Sequence, residues 1–322
     1  MSSGPLALVA DVGGTNVRFA VVEPGGHPRR VVNFKCSEYP DFLAAVDAYV
    51  ARLGPHTQPT SAAFAVAGPV LGDRVRLTNS PWTISARAVR RRYGFTDVRV
   101  INDFSAIALA IPRLRSTDRR KIGGGRAVAH AAIGVIGPGT GLGVSGLVWT
   151  GSRYVPLASE GGKVTMPPFD AFETEVLGVI RRQHSHVSAE RLLSGAGLAL
   201  LHRTIREVQG LAAGSLSPQT ITSRARAGRC PVCLTTVNTF CAMMGTVAAD
   251  LALTLGALGG LFVAGGIVPK FGPLFHRSPF RLRFESKGRF SSYLAAIPTW
   301  VITHRNPGLL GLANLMDTGR GG

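Results

Sequence analysis

One device, used twice, restricts this chain more than anything else in it. Leu6–Ala10 is apolar and ends at Asp11; Val12-Gly13-Gly14-Thr15-Asn16 turns; Val17–Val22 is apolar again, with Phe19 and Val21 on one side and Arg18 opposite. About one domain later the pattern recurs: Ala131–Ile136 is apolar, Gly137-Pro138-Gly139-Thr140-Gly141-Leu142-Gly143 turns, and Val144–Trp149 is apolar. Short apolar runs between glycine turns read as buried strands, so each half of the chain opens on a strand hairpin. Glycines leave backbone N–H groups uncovered, and a phosphate can approach them closely. Thr15 and Thr140 add hydroxyls, and Asp11 sets a carboxylate where it can hold the water shell of Mg²⁺. Gly-Gly is also ordinary hairpin chemistry; the repetition, not either turn alone, favours a phosphate site. The second turn does not fit G-x-G-x-x-G and lacks the P-loop lysine, which disfavours a Rossmann dehydrogenase.

Between the two hairpins the chain alternates. Val31–Lys35 extends the first meander. Asp41–Leu53 carries apolar residues at helical spacing and stops at Gly54. Ser61–Val66 and Val75–Leu77 read as strands, and Ser85 caps a helix ending before Gly94. Val98–Ile101 is β-rich and Phe104–Ala110 suits a buried helix. Asn102-Asp103 therefore sits at a strand exit, where open α/β sheets place ligand chemistry; Asp103 as a mere helix cap is the plain alternative. The order β-β-β-α-β-α-β-α predicts a mostly parallel sheet with an antiparallel edge. Arg113–Gly125, basic and closing on glycines, is the candidate boundary. Further on, Phe240–Leu258 reads as a long helix, Leu261–Ala264 as a buried strand with Gly265-Gly266 at its exit, and Asn306-Pro307-Gly308 as the start of a terminal helix.

The 322 residues allow one large or two medium domains. No apolar run reaches the ~20 residues that span a bilayer, and the N-terminus has no signal-peptide pattern. Four cysteines without a framework spacing indicate a reducing compartment, by default the cytoplasm. Cys230-Pro231-Val232-Cys233 has C-x-x-C spacing, but zinc would need a fourth ligand and a thioredoxin-type motif belongs to another fold, so these read as buried or incidental thiols. Net charge is +18, and 31 of the 36 basic residues are arginine. Such an excess attracts phosphorylated ligands. The arginine clusters lack any helix-turn-helix or interleaved aromatic pattern, which argues against nucleic acid.

Taken together, L-V-A-D-V-G-G-T-N-V-R-F-A at 8–20, T-N-S-P-W at 78–82, I-N-D-F at 101–104, G-P-G-T-G-L-G-V at 137–144, S-E-G-G at 159–162, H-V-S-A-E-R-L-L-S-G at 186–195, G-G-L-F-V-A-G-G-I-V-P at 259–269 and N-P-G-L-L-G at 306–311 resemble the bacterial glucokinase family over nearly the whole chain. The cysteine-rich zinc loop of the regulator-like sugar kinases is absent from the sequence. The resemblance implies a two-domain α/β, actin-like ATPase (ribonuclease H-like) fold: a small domain of 1–113 plus 303–322, a large one of 114–302, and a cleft whose closure excludes water. It implies ATP and Mg²⁺ as cofactors, with Asp11, Gly13, Gly14, Thr15, Asn16, Gly139, Thr140 and Gly141 on the phosphates and Gly265-Gly266 by the nucleoside. Glucose is then held by Asn102, Asp103, Glu160, Lys163 and Glu190, with Asp103 as general base on the 6-hydroxyl. A homodimer without membrane or nucleic-acid partners is also implied. Lys163 stands where the family carries a histidine. That substitution leaves two alternatives: a kinase for another hexose or modified sugar, or a catalytically weak sugar-binding regulator. Lys163 turned aside onto Glu160 is the plain reading. His184 and His186 read as scaffold, and Trp82 as either a wall of the sugar site or core.

Overall fold

The computed structural model describes residues 5–77 and 80–318, so Thr78-Asn79 of the T-N-S-P-W segment lie outside the described residues. The chain divides into two compact units: the first holds the described residues up to Arg115, Thr150–Ser159 and the chain from His304; the second holds Ser116–Trp149 and Glu160–Thr303.

The first unit begins with strands β1 (Ala7–Val12), β2 (Asn16–Val22) and β3 (Arg29–Lys35), then α1 (Phe42–Leu53), β4 (Ser61–Val66), β5 (Arg74–Arg76), β6 (Thr83–Ser85), α2 (Ala86–Tyr93), β7 (Asp97–Asn102) and α3 (Asp103–Ala110). Its sheet runs β3-β2-β1-β4-β7. β1 pairs β2 antiparallel, while β1–β4 and β4–β7 are parallel. The two-residue period of a strand sends alternate side chains to opposite faces. Leu8, Ala10 and Val12 accordingly join one core with Phe42, Val46 and Tyr49 of α1, and Ala7 and Val9 join a second. Trp82 is buried in the first of these, tilted against Phe42 and donating to the Tyr39 carbonyl at 3.3 Å. It is core and not a wall of a sugar site.

The second unit starts with β8 (Arg119–Gly123), β9 (Ile133–Pro138) and β10 (Leu142–Trp149). β11 (Tyr154–Leu157) belongs to the first unit, where it packs on α3. Then follow α4 (Ala171–Arg181), α5 (Ala189–Leu192), α6 (Gly195–Val208), α7 (Pro218–Arg226), α8 (Pro231–Leu255), β12 (Leu261–Val263), α9 (Val268–Phe271), α10 (Pro273–Arg277), α11 (Phe280–Glu285), α12 (Ser291–Ala296) and β13 (Thr299–Ile302). Within this unit the strands run β10-β9-β12-β13-β8. An antiparallel hairpin again continues into two parallel strands, so the duplicated hairpin seeds the same sheet twice. The basic stretch after Arg113 is therefore no linker throughout: β8 pairs antiparallel with β13. Its Arg120 and Lys121 point outward on an edge, where charge guards an open strand.

α8 starts nine residues before the helix predicted from Phe240. By length and composition it is also long and apolar enough to cross a membrane, contrary to the reading that no run qualifies. In this structure 72 % of its apolar window is buried, as the central helix of the second core. α13 (Pro307–Thr318) returns to the first unit and packs on α3 so closely that a Cβ on Gly311 would collide with the Ala106 carbonyl.

Candidate active site

In the first unit, register decides what meets. Val12 pairs with Val66 and Val66 with Asn102, so the exits of β1, β4 and β7 share one edge of the sheet. That edge carries Asp11 with the Gly13–Asn16 turn, and Asn102 with Asp103. The turn is closed by Gly13 N–H donating to the Asn16 carbonyl at 2.9 Å, and Cys36 N–H reaches the Thr15 carbonyl at 2.9 Å. Asp11 is partly buried, with one arginine, Arg18, at 3.4 Å. Burial pushes its carboxyl pKa up, and the Arg18 charge opposes this only in part. A cation near such a carboxylate favours its ionised form, and Asp11 is the residue of this edge that could hold an Mg²⁺ ion through the ion's water shell. Gly308 packs closely on this carboxylate: a Cβ on it would stand 3.2 Å from the Asp11 carboxyl carbon, so a side chain there would press Asp11 aside by a few tenths of an ångström.

The cap of α3 is Asn102, not Asp103. Asn102 Oδ1 accepts from Phe104 N at 2.9 Å and Ser105 N at 3.1 Å, while Nδ2 donates to the Gly68 carbonyl at 3.2 Å. Asp103 occupies the first helical position, its Oδ1 accepting from Phe104 N–H at 2.9 Å.

In the second unit the Gly139–Gly141 turn is closed by Gly139 N–H donating to the Gly141 carbonyl at 2.8 Å. Gly265, at φ +82°, lies against the Pro138 carbonyl with no room for a side chain. These two turns border a cleft of about 600 Å³, also lined by Gly195, Thr222, Arg226 and Lys270. That volume suits a nucleotide-sized ligand. The contributions of α6 and α7 to it escaped the sequence reading.

Next to this turn stands Glu190. Its Oε2 accepts from Leu142 N–H at 3.0 Å, and Oε1 takes the ammonium of Lys163. Lys163 is the last residue of a tight turn, Gly161–Lys163, whose Gly162 sits so close to Leu142 that a Cβ would strike its carbonyl. Among the described residues Glu160 receives the main-chain N–H of Lys163, at 2.9 Å on its carbonyl; the ion pair expected with Glu160 is made with Glu190. Thr165, on the next strand-like stretch, bridges to Ser188 and holds His186 Nε2 at 3.2 Å, a scaffolding contact. Among the described residues no cluster of three or more His, Cys, Asp or Glu could hold a metal ion.

The expected site residues are thus shared out. Asp11, Gly13, Gly14, Thr15, Asn16, Asn102 and Asp103 lie in the first unit, and Gly139, Thr140, Gly141, Glu160, Lys163, Glu190, Gly265 and Gly266 in the second.

Known proteins resemble this chain over almost its whole length. A family model described as glucokinase matches residues 8–318. The glucokinase of Aromatoleum aromaticum is 48 % identical over 316 residues, covering 98 % of this chain and 96 % of that protein. That of Neisseria meningitidis serogroup B is 46 % identical over 310 residues, covering 96 % and 94 %. Among solved structures, a glucokinase from an Antarctic psychrotroph matches with a TM-score of 0.89 at 37 % identity, covering 97 % of this chain and 99 % of that one. The Balamuthia mandrillaris glucokinase, solved with glucose, shares the fold at a TM-score of 0.80 and 20 % identity, covering 96 % and 92 %. The chain belongs to the glucokinase family.

Proposed function

We propose that this chain transfers the γ-phosphoryl group of ATP to the 6-hydroxyl of glucose. The observation that carries the reading is the seat of Glu190: its carboxylate bonds Leu142 N–H, one residue beyond the Gly139–Gly141 turn. A sugar hydroxyl bonded to Glu190 is thereby held beside backbone N–H groups suited to phosphate, which is the proximity a transfer between the two requires. Asp103 takes the proton of the 6-hydroxyl as that oxygen attacks the γ-phosphorus, and ADP departs. Asn102 Nδ2 carries two hydrogens and gives one to the Gly68 carbonyl, which leaves the other for a sugar oxygen. Glu160, Glu190 and Lys163 complete the sugar's polar surroundings; the Gly13–Asn16 and Gly139–Gly141 turns take the phosphates, and the cleft by Gly265-Gly266 the nucleoside. Mg²⁺, when bound near Asp11, neutralises phosphate charge. The four free thiols accord with a reducing, cytoplasmic setting.

The test is ATP-dependent phosphate transfer across a panel of hexoses with an Asp103→Asn control. Glucose turnover that disappears in the control supports the reading. Another preferred hexose, or glucose binding without product, would return the chain to the alternatives that Lys163 raises.

A further inference from the structure

The C-x-x-C pair is not incidental in its surroundings. Cys230 is the N-cap of α8: its backbone is extended, and its sulfur accepts the N–H of Cys233 at 3.3 Å. Pro231 fills the first helical position, where a missing N–H costs nothing. Cys230 is half-buried and reachable, whereas Cys233 is fully buried. On the far side of Cys233 the ring of His202, itself only 1 % exposed, places Nε2 at 3.8 Å from the Cys233 sulfur. His202 Nδ1 is buried with no hydrogen-bond partner among the described residues. A buried imidazole with one unpartnered nitrogen, its other nitrogen against a buried thiol, calls for an explanation.

From this geometry we infer that Cys230 and Cys233 form a redox-active dithiol that exchanges with small disulfides and closes to an intramolecular disulfide at the start of α8. Cys230 is the attacking group. Burial alone would raise its pKa, but hydrogen bonds from Cys233 and the Arg224 charge bring it below the ordinary thiol value, while burial and the neighbouring Cys230 raise that of Cys233. The Cys230 thiolate attacks one sulfur of the incoming disulfide and expels the other as a thiolate. Burial and the charges of Arg206 and Arg224 hold the His202 pKa below that of a free imidazole, so the ring stays neutral; Cys233 gives its proton to the small thiolate just expelled and attacks the Cys230 sulfur, and the second small thiolate leaves and takes a proton from solvent. Two protein thiols are oxidised and one small disulfide becomes two thiols.

The nucleotide cleft is positioned to sense the change, a step that rests on reading that cleft as the ATP site. α7 supplies Thr222, Ser223 and Arg226 to its wall and packs along α8. Only Ala227–Arg229 separate α7 from Cys230, and they are tied back to α7: Gly228 N–H donates to the Ala225 carbonyl at 3.1 Å and Arg229 N–H to the Arg224 carbonyl at 3.1 Å. Drawing the Cys230 sulfur off the Cys233 N–H shifts this link and with it α7.

The experiment treats the full chain with glutathione disulfide, then maps thiols by mass spectrometry and measures ATP binding by calorimetry. The expected product lacks two hydrogens on the peptide carrying Cys230 and Cys233. The Cys233→Ala variant should instead trap glutathione on Cys230, and Cys230→Ser, which keeps a capping oxygen, should take up none there. Oxidation should weaken ATP binding about fivefold or more, reversibly with dithiothreitol. Thiols that stay reduced, or an adduct confined to Cys36 or Cys241, overturn the site. A disulfide that forms without moving ATP affinity overturns the coupling to α7. Failure of the reduced protein to bind ATP would instead strike at the cleft assignment and leave the thiol result standing.

Discussion

Adding one methyl group at Gly141 should disable a residue that is distant in sequence. A Cβ there would lie 2.5 Å from Glu190 Oε2, against the 3.4 Å at which ordinary contact begins, so the carboxylate must retreat by about 0.9 Å. A flexible glutamate could do that cheaply. Glu190 is not flexible, because Oε2 holds Leu142 N–H at 3.0 Å and Oε1 holds Lys163. A retreat of that size exceeds what a 3.0 Å bond tolerates before it leaves hydrogen-bonding range. A sugar hydroxyl that depends on the placed carboxylate loses a charged hydrogen bond of about 1.5–3 kcal/mol, equivalent to a rise in glucose KM of roughly tenfold to 150-fold. The assay is steady-state kinetics on Gly141→Ala, Glu190→Gln and the double variant. Both single variants should raise glucose KM. Because they damage the same contact, the double variant should be no worse than Glu190→Gln alone. If the two effects add, or if Gly141→Ala changes ATP KM and leaves glucose KM alone, the methyl acts on the phosphate turn and the reasoning fails.

Three further outcomes follow from other parts of the molecule. Asp103→Asn should lower kcat by about 10²–10⁴-fold, the usual worth of a positioned base, with glucose binding by calorimetry retained; lost binding with unchanged kcat would assign Asp103 to positioning. Asp11→Asn should abolish turnover yet raise stability at pH 7. Burial raises the Asp11 pKa in the folded state, so its ionised form destabilises the fold above that pKa, and the penalty vanishes as pH falls below the unfolded value of about 3.9. Chemical denaturation should therefore show a gain at pH 7 that fades toward pH 4, and an equal gain at both would refute the linkage. In the second unit, Arg283 Nη1 meets the buried Glu173 at 2.6 Å while Arg283 Nη2 reaches the exposed Asp170 at 3.4 Å. Glu173→Ala should cost about 3 kcal/mol by leaving a buried guanidinium short of its partner, whereas removing only the Asp170 carboxylate contact, by Asp170→Asn, should cost under about 1 kcal/mol, both read from denaturant midpoints.

The strands and hairpins of the two sheets were legible because their signals are local: the apolar run Leu6–Ala10, glycine turns, and Ser85 or Gly94 at a helix end. The Asn102-Asp103 pair was legible as a site but its division of labour was not. Both residues can cap a helix, and only the backbone decides that Asn102 does so. The start of α8 was hidden for a chemical reason. Its cap is a cysteine, outside the usual Ser, Thr, Asp and Asn set, and its first turns carry β-branched threonines that weaken a helix signal. The cleft wall was hidden for a topological one. Thr222 and Arg226 of α7 meet Gly139 and Gly266 only through packing of segments far apart in sequence, and no spacing rule encodes that.

The arginine excess has a structural use that the sequence does not announce. Arg281 donates to the Leu294, Ala295 and Ile297 carbonyls at 3.1, 3.0 and 2.9 Å, closing the end of α12. Arg30 does the same for Leu53 at the end of α1, Arg99 for Leu315 of α13, and Arg206 for Ala212 just beyond α6. Arg113 reaches both Gly25 and Gly26 carbonyls at 3.0 and 2.7 Å while pairing with Asp317. One side chain serving two or three acceptors at fixed angles is a task for a planar fork of five donors, not for a lysine ammonium. Arginine therefore works here beside the glycine caps, such as Gly54 at the end of α1, and it brings a charge whether or not a ligand calls for one. These five arginines are thus occupied by the fold itself. What bears on phosphate chemistry is narrower: Arg226 and Lys270, the two cations that line the nucleotide-sized cleft.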